Sequence, residues 1–196
     1  MEHSPVAVGG QSETVRLVWA MRLYGIPPLV AARPTVLVLG SFPSVRSLEL
    51  RCYYGHPRNH FWPILARCFE RPLPPDYPER ASLAISLGVA IWDVIASCDR
   101  EGSLDQAIQN AEPNDIESLL RAHDSIERVL INGSAAAAYF KRFGIAVSPG
   151  IELRALPSTS PVPSRRYRVM EDKLEAWREG YIGESGVIPR ASTSRA

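Results

Sequence analysis

Residues 35–65, TVLVLGSFPSVRSLELRCYYGHPRNHFWPIL, decide the fold and the site that the sequence predicts. The stretch opens with an unbroken apolar run, Val36 to Leu39, and such a run bounded by turn residues is typical of a strand buried on both faces. Gly40 permits a tight or positive-φ exit from the strand, and Pro43 stiffens the loop after it. The rest, as far as Trp62, is predicted to be a long loop dense in polar and aromatic side chains. Such loops hold ligand sites in α/β proteins, although a surface loop whose aromatic rings cap the core explains the composition equally well.

Four short apolar segments separated by helical patterns define the fold class. The predicted strands are Thr35–Leu39, Val89–Ile95, Arg128–Ile131 and Glu152–Leu156. Their alternation with helices predicts an α/β fold, namely a three-layer α/β/α domain with a central four-stranded parallel sheet. The polar groups that come after the strands are then expected to meet at one end of the domain, outside the carboxyl ends of the strands.

Helices are predicted in the connections from apolar periodicity and from capping and breaking residues. They are expected from about His60 through Phe69, and at Pro78–Leu87, Leu104–Ile108, Asp115–Ala122, Ala135–Arg142 and Tyr167–Glu179, with a polar loop at Ser97–Ser103. Asn114 and Glu117 have the spacing of a capping box for the helix that begins at Asp115. The segment Val15–Tyr24 fits either a helix or an irregular pair of strands.

Two asparagines lie where helices are expected to begin. Pro63 is tolerated only in the first turn of a helix, so its helix should begin around His60 to Trp62, and Asn59 then lies at or near the N-cap. Asn132 and Ser134 flank the start of a later helix, where a cap and an anion-binding point are both possible. From side-chain chemistry alone, capping is the favoured role at both places.

Length and composition indicate one soluble globular domain. The 196 residues are 45% hydrophobic and 22% charged, and no apolar run approaches the roughly 18 residues of a membrane span. We expect a single domain at 14–182, a flexible tail at 1–13 and a disordered tail at 183–196. The N-terminal sequence does not resemble a secretory signal. The three scattered cysteines favour a reduced, cytoplasmic setting and support neither a disulfide framework nor a cysteine-rich metal site.

Two motifs give the sequence a family resemblance. GSFPS at 40–44 and then YGHPRNHFW at 54–62 resemble the first motif region of the uracil-DNA glycosylase superfamily, and LPSTSP at 156–161 resembles the second, a loop that enters the DNA minor groove. Phe42 stands where mismatch-specific members carry an asparagine. The SFPS form is similar to that of the hypoxanthine-DNA glycosylase branch, in which the catalytic asparagine comes from the second run, here Asn59.

The resemblance implies a monofunctional DNA glycosylase that hydrolyses the N-glycosidic bond of a deaminated base, with hypoxanthine as the first choice, in base-excision repair. It implies DNA containing a deaminated base as the partner, a monomer, and no metal or other cofactor. The net charge of +1 does not oppose DNA binding, because affinity depends on the phosphates that are contacted. Uracil, xanthine or a mispaired base as substrate, and a non-catalytic lesion-binding module on the same fold, are the alternatives.

The resemblance also implies roles for individual residues. Asn59 is the expected catalytic residue. The expected base-binding residues are Gly40, Ser41, Phe42, Tyr54, His56 and Asn132, with Tyr54 as the ring that stacks on the base. The expected DNA-binding residues are Ser44, Arg58, Ser158, Thr159, Ser160, Arg165 and Arg166. Asp93, His56 and His60 are candidates for activating water or polarising the leaving base, although loop histidines are more often structural, and no lysine lies in either motif to form a Schiff base.

Overall fold

The structure is a computed structural model that describes residues 22–162 and 164–183. These residues form an α/β fold around a four-stranded parallel sheet, which confirms the predicted fold class. The four strands are β2 (Val36–Gly40), β3 (Val89–Asp93), β6 (Arg128–Asn132) and β7 (Glu152–Leu156), and their order in the sheet is β3-β2-β6-β7. Every residue of β2 is buried, as its continuous apolar run predicted.

Helices cover both faces of this sheet. They are α2 (Phe61–Cys68), α3 (Tyr77–Ser86) and α6 (Glu171–Ile182) against one face, and α4 (Ile116–Ala122) and α5 (Ser134–Arg142) against the other. Successive side chains of a strand point to opposite faces. Val38 of β2 accordingly packs in one core with Phe61 and Trp177, whereas Leu39 packs in the other with Phe140.

A second, antiparallel sheet lies beyond the parallel one. Its strands, in the order β1-β4-β5, are β1 (Arg22–Tyr24), β4 (Ile95–Asp99) and β5 (Gln109–Pro113). The predictions of one strand over 89–95 and of a loop over 97–103 are therefore wrong. The first strand ends at Asp93, and the N–H groups of Val94 and Ile95 donate to the carbonyls of Gly40 and Ser41 as the chain crosses into β4.

Hydrogen bonds between polar side chains hold much of this second sheet together, so its strands lack the apolar pattern by which a strand is recognised in a sequence. Strand β5 reads QNAEP and is largely exposed, so no apolar alternation marks it. The buried Ser97 of β4 accepts a hydrogen bond from Arg22 at 2.8 Å and donates one to Glu112 at 2.8 Å. The predicted short helix at 104–108 is a single 3-10 turn, Asp105–Ala107.

A short helix, α1 (Val45–Leu50), occupies the first part of the predicted long loop. Ser44 caps it, because its hydroxyl accepts a hydrogen bond from the N–H of Ser47 at 3.2 Å. Arg51 ends it in the left-handed region with a φ of 51°. The helix has only six residues, too few for a periodic apolar pattern to predict it.

Two other helices begin at residues that differ from the predictions. Asp115, not Asn114, caps α4, and the amide of Asn114 donates instead to the carbonyl of Asp93 at 2.8 Å. Helix α6 begins at Glu171, because the carboxylate of Asp172 accepts hydrogen bonds from two preceding backbone N–H groups and holds them in a turn. The start of α2 at Phe61 agrees with the prediction from its proline.

Some expectations lie outside the described residues. These are the flexible tail at 1–13, the segment 14–21, and the disordered tail at 183–196 except for Gly183. The end of the segment Val15–Tyr24 is described, and it joins the second sheet as β1.

Candidate active site

A cavity opens at the carboxyl ends of the parallel strands, where the sequence predicted that the polar groups meet. Its volume is about 150 Å³. Gly40 at the end of β2 lies in register beside Asp93 at the end of β3, and Asn132 ends β6 next to them. The cavity is lined by the expected catalytic and base-binding residues Gly40, Ser41, Phe42, Tyr54, Asn59 and Asn132. It is also lined by the expected DNA-binding residues Ser44, Ser158, Thr159 and Ser160.

Five further lining residues carry no role in the sequence-based set of site residues. They are Pro43, Ser47, Tyr53, Ser103 and Asp105, and Asp93, a candidate for activating water, also lines the cavity. The hydroxyl of Ser41 donates to the carboxylate of Asp105 at 2.7 Å, which ties the second sheet's connection to the first motif. Sequence reasoning missed Asp105 because it misread strands β4 and β5, which carry that connection to the cavity.

The amide of Asn132 links the two motifs. Its Oδ1 accepts a hydrogen bond from the N–H of Thr159 at 2.9 Å, and its Nδ2 donates to the hydroxyls of Thr159 and Tyr54 at 2.9 and 3.0 Å. Both Nδ2 protons are therefore used within the protein, which leaves only a lone pair of Oδ1 for a base. Helix α5 has Gly133 at its N-cap and no side-chain cap, so neither Asn132 nor Ser134 has the plain capping role.

Tyr54 is held from two sides. Its ring stacks on Phe61 with a centroid distance of 4.0 Å and an interplanar angle of 23°, and its hydroxyl accepts the hydrogen bond from Asn132. Its φ of 53° lies in the left-handed region, which costs energy for a residue other than glycine. The contacts with Phe61 and Asn132 therefore stabilise a strained backbone and fix the orientation of the ring.

Tyr54→Phe is expected to lower the free energy of unfolding by about 1–3 kcal/mol, because Asn132 would keep a buried N–H group without its acceptor. The stacking on Phe61 survives this change, so the loss reports on the hydrogen bond alone. Chemical denaturation of both proteins measures it. An unchanged free energy of unfolding would contradict the role of the hydroxyl as a partner of Asn132.

Asn59 combines the two roles that the sequence left open. Its Oδ1 accepts a hydrogen bond from the N–H of Phe61 at 2.9 Å and so caps the first turn of α2 from the position before the N-cap residue, His60, whose own side chain makes no capping hydrogen bond. Its backbone N–H donates to the carbonyl of His56 at 2.9 Å. No described residue accepts a hydrogen bond from Nδ2 of Asn59, which lines the cavity. The cap thus fixes the direction of the amide and leaves its two N–H donors for a ligand.

Asp93 lies at the floor of the cavity with 4% of its surface exposed. Its Oδ2 is buried and has no hydrogen-bond partner among residues 22–162 and 164–183. Burial and the negative charge of Asp105 raise the pKa of this carboxyl, the positive charge of Arg100 lowers it, and together they bring it to about 7. A carboxyl in this environment is therefore partly protonated at neutral pH.

The two site histidines have structural contacts. His60 donates its backbone N–H to the carbonyl of Thr159 at 2.9 Å, and its Nδ1 lies 3.3 Å from Nζ of the buried Lys173, which donates to the carbonyl of Ser160 at 2.7 Å. Burial and the lysine charge lower the pKa of His60. Nδ1 of His56 accepts a hydrogen bond from the N–H of Arg58 at 3.2 Å. Neither histidine lines the cavity.

The expected DNA-binding arginines lie away from the cavity lining. Arg58, Arg165 and Arg166 are exposed, and the guanidinium of Arg166 lies 5.4 Å from the ring centroid of Tyr167. These positions suit contacts with a polyanion outside the cavity and do not suit contacts with a base inside it.

The sequence model of the Uracil DNA glycosylase superfamily matches residues 27–180, most of the chain. The chain belongs to this superfamily. It is similar to a protein named hypoxanthine DNA glycosylase from Methanosarcina barkeri (strain Fusaro), at 29% identity over 162 residues, 82% of this chain and 99% of the relative. A protein of the same name from Methanosarcina acetivorans is 29% identical over 153 residues, 78% of this chain and 95% of the relative. The fold matches the solution NMR structure of a candidate uracil DNA glycosylase from Methanosarcina acetivorans with a TM-score of 0.66 and 26% identity, covering 81% of this chain and 95% of that one.

Phe42 marks how this superfamily member differs from the mismatch-specific pattern. Its side chain is 6% exposed and packs in a small core with Ile95 and Ile108. The guanidinium of Arg100 lies 5.0 Å from its ring centroid and donates to the carbonyl of Pro43. A phenylalanine ring carries no amide, so the side-chain amides that line the cavity are those of Asn59 and Asn132.

Among the described residues, no helix is long and apolar enough to cross a bilayer. In the same part of the chain, no group of three histidine, cysteine, aspartate or glutamate side chains is placed to hold a metal ion.

Proposed function

We propose that this chain is a monofunctional DNA glycosylase that hydrolyses the N-glycosidic bond of hypoxanthine in DNA, as a step of base-excision repair. The names of its two Methanosarcina relatives support the substrate. The observation that carries the proposal is the side-chain amide of Asn59, which lines the cavity at the carboxyl ends of the strands. Its oxygen is held by the N–H of Phe61, and its nitrogen keeps both N–H donors for a ligand. We further propose that it acts as a cytoplasmic monomer.

The open amide stabilises the base as it leaves. A base inside a duplex is out of reach, so the nucleotide must first swing out of the stack into the cavity, at a cost of a few kcal/mol, about 1–3 of which a stacking ring returns. As the bond breaks, negative charge grows on the base and positive charge on the sugar. Donors that are already oriented stabilise that negative charge without reorganisation. Nδ2 of Asn59 is such a donor, since the cap on Phe61 holds its oxygen.

The lysines of the described residues do not support a lyase step. A lyase needs an amine that can attack the sugar and form a Schiff base. No lysine lines the cavity, and the buried Lys173 directs its ammonium to the carbonyl of Ser160 and to His60. Water is therefore the proposed nucleophile, and the product is an intact strand with an abasic site.

The second motif segment and the exposed arginines are proposed to hold the DNA. Ser158 and Ser160 lie at the rim of the cavity, and hydroxyl groups of this kind bind phosphate oxygens in protein–DNA interfaces. Asn132 and Lys173 fix the segment between them through Thr159 and the carbonyl of Ser160. The segment is therefore preorganised for contact with the backbone next to the extruded nucleotide.

Replacing both Arg165 and Arg166 by alanine is expected to weaken duplex binding broadly and to flatten its salt dependence. Each phosphate contact adds about 0.9 to the slope of log K against log salt for B-DNA, so the slope should fall by roughly 1–2. Titrations at several salt concentrations, with deoxyinosine and undamaged duplexes, measure it. Arg33→Ala is a suitable control, because Arg33 is exposed and lies before β2, away from the carboxyl ends of the strands. An unchanged slope would remove both arginines from the interface.

The function itself is tested with labelled duplexes that carry deoxyinosine, deoxyuridine or deoxyxanthosine. After incubation with the protein, alkali cleaves the strand only where a base has been removed. We expect alkali-dependent cleavage at deoxyinosine and none without alkali. Cleavage at uracil alone would mean that the substrate is uracil and not hypoxanthine. Binding without cleavage at any lesion would mean that the protein is a non-catalytic lesion-binding module.

A further inference from the structure

The carboxyl of Asp93 is the polar group of the cavity that the proposed chemistry leaves unused. Exposure separates the lining residues into a floor and a rim. Asp93 and Asn132 are buried at the floor, whereas Ser103 and Ser158 are exposed at the rim. A nucleotide enters base first, so the edge of the base farthest from the sugar reaches the floor and the glycosidic bond stays near the rim. A group at the floor therefore meets the edge of the base and not the bond that breaks.

Deamination changes this same edge of the base. In adenine, the ring nitrogen N1 accepts and the exocyclic nitrogen donates. In hypoxanthine, N1 carries a proton and donates, while O6 accepts. Cytosine and uracil differ in the same way: N3 accepts and the exocyclic nitrogen donates in cytosine, whereas N3–H donates and O4 accepts in uracil. A group that accepts at N1 and donates at position 6 matches the deaminated edge, whereas the parent edge needs the acceptor and the donor exchanged.

We propose that Asp93, as a neutral carboxylic acid, reads the deaminated edge of the base in the proposed glycosylase reaction. Its carbonyl oxygen accepts from N1–H, and its O–H donates to O6. The unpartnered Oδ2 and the adjacent Oδ1 then both gain partners when the base binds. The proposal rests on the function stated above and assigns the hydrogen bonds to the base edge to one residue.

The surroundings of Asp93 favour the neutral form. The ionisable groups whose charges act on it are Asp105 and Arg100, and its own charge, after burial, raises the pKa of Tyr53 and of Tyr54. Burial raises the pKa of Asp93 and so does Asp105, while Arg100 lowers it. No ion pair joins Arg100 to Asp93 within the described ranges, and the arginine donates to the carbonyl of Pro43 instead. A bound base removes the remaining water and favours the neutral form further.

The charge of the leaving base favours the same form. A carboxylate at the floor would repel O6 and would oppose the negative charge that grows on the base. A carboxylic acid donates to O6, where part of that charge accumulates, and this hydrogen bond strengthens as the glycosidic bond breaks. Asp93 in this form works together with Asn59, which donates from another side of the cavity.

Asp93→Asn and Asp93→Leu test the proposal, because the amide keeps one acceptor and one donor and the leucine keeps neither. The value of kcat/KM for deoxyinosine in wild type should fall as the pH rises through about 7, where Asp93 loses its proton. Asp93→Asn should remain active without this fall. Asp93→Leu at about pH 6 should be roughly 10- to 100-fold slower. Asp105→Asn should move the fall to lower pH, since a charge that raises the pKa of Asp93 is removed.

A matched substrate separates base reading from a merely structural effect. Unsubstituted purine lacks both N1–H and O6, so Asp93→Leu should slow its excision much less than that of hypoxanthine. Thermal unfolding gives a second readout. The raised pKa means that folding favours the protonated carboxyl, so the stability that it contributes is lost as the pH rises from the ordinary pKa of 3.8 to about 7. Asp93→Asn should therefore gain Tm relative to wild type as the pH rises from about 4 to about 7, and the difference should stay constant above that range.

Two results would overturn the proposal. One is an Asp93→Leu variant as fast as wild type on deoxyinosine. The other is a wild-type rate that rises through neutral pH together with an inactive Asp93→Asn variant, which would make Asp93 a carboxylate that activates water. Equilibrium binding to duplexes tests the reading of the base by Asp93 independently of the proposed glycosylase activity. A wild type that cuts no lesion but prefers deoxyinosine duplexes, with the preference lost in Asp93→Leu, refutes the glycosylase function and supports base reading.

Discussion

Asn59→Ala is expected to lower the single-turnover rate of hypoxanthine excision by about 100- to 1,000-fold, the usual effect of removing one oriented donor from a developing anion. The side chain offers the cavity its Nδ2 group, while Oδ1 accepts from the N–H of Phe61. Alanine removes both interactions. Loss of the cap should cost about 1 kcal/mol of stability, which leaves the protein folded. Quenched-flow assays with enzyme in excess measure the chemical step, and circular dichroism confirms the fold.

Asn59→Asp is the matched control, because it separates the cap from the donor. A carboxylate oxygen can still accept from Phe61, so the free energy of unfolding should stay close to that of wild type. A carboxylate cannot donate to a base, so excision should fall about as far as in Asn59→Ala. If Asn59→Asp keeps wild-type activity, the residue acts on water or the sugar, and its proposed donation to the base is wrong.

The sequence predicted the parallel sheet and the convergence of its loops because those features depend on burial. The run from Val36 to Leu39 lies in a strand buried throughout, and such a strand can only be apolar. Once strands of this kind alternate with helices, their carboxyl ends must share one edge. Gly40, Asp93 and Asn132 were therefore predictable neighbours at that edge.

The second sheet and its contribution to the site were not predictable in the same way. Strand β5 is largely exposed, and Ser97 of β4 is buried through hydrogen bonds to Arg22 and Glu112, which are distant in sequence. Pairing of this kind leaves no periodic apolar signal. Asp105 reaches the cavity through this sheet, so its effect on the pKa of Asp93 is visible only in three dimensions.

The role of Gly40 also differs from its sequence interpretation, and the difference leads to the second large effect. Gly40 is not among the described glycines with a positive φ, so it is not required for its backbone conformation. It is required for space. A Cβ atom at this position would lie 2.3 Å from Oδ1 of Asp93 and 3.6 Å from the hydroxyl oxygen of Tyr54. The glycine therefore allows the buried carboxyl to sit against the strand at the floor of the cavity.

Gly40→Ala is expected to lower kcat/KM for deoxyinosine by about 100-fold or more, because a displacement of about 1 Å in a positioned group can cost that much. The carboxyl of Asp93 must turn into the space that the base needs, since the new methyl group takes its present position. Stability should change little, because the backbone accepts alanine and a side chain can move. Gly150→Ala is the control, as no atom lies within 4 Å of its added Cβ.

If Gly40→Ala excises hypoxanthine at the wild-type rate, the floor does not hold the base and Asp93 cannot read it. If Asp93→Leu, which is expected to be slow on its own, is no slower in the Gly40→Ala background than Gly40→Ala alone, the two positions act on one step, as direct contact between them requires.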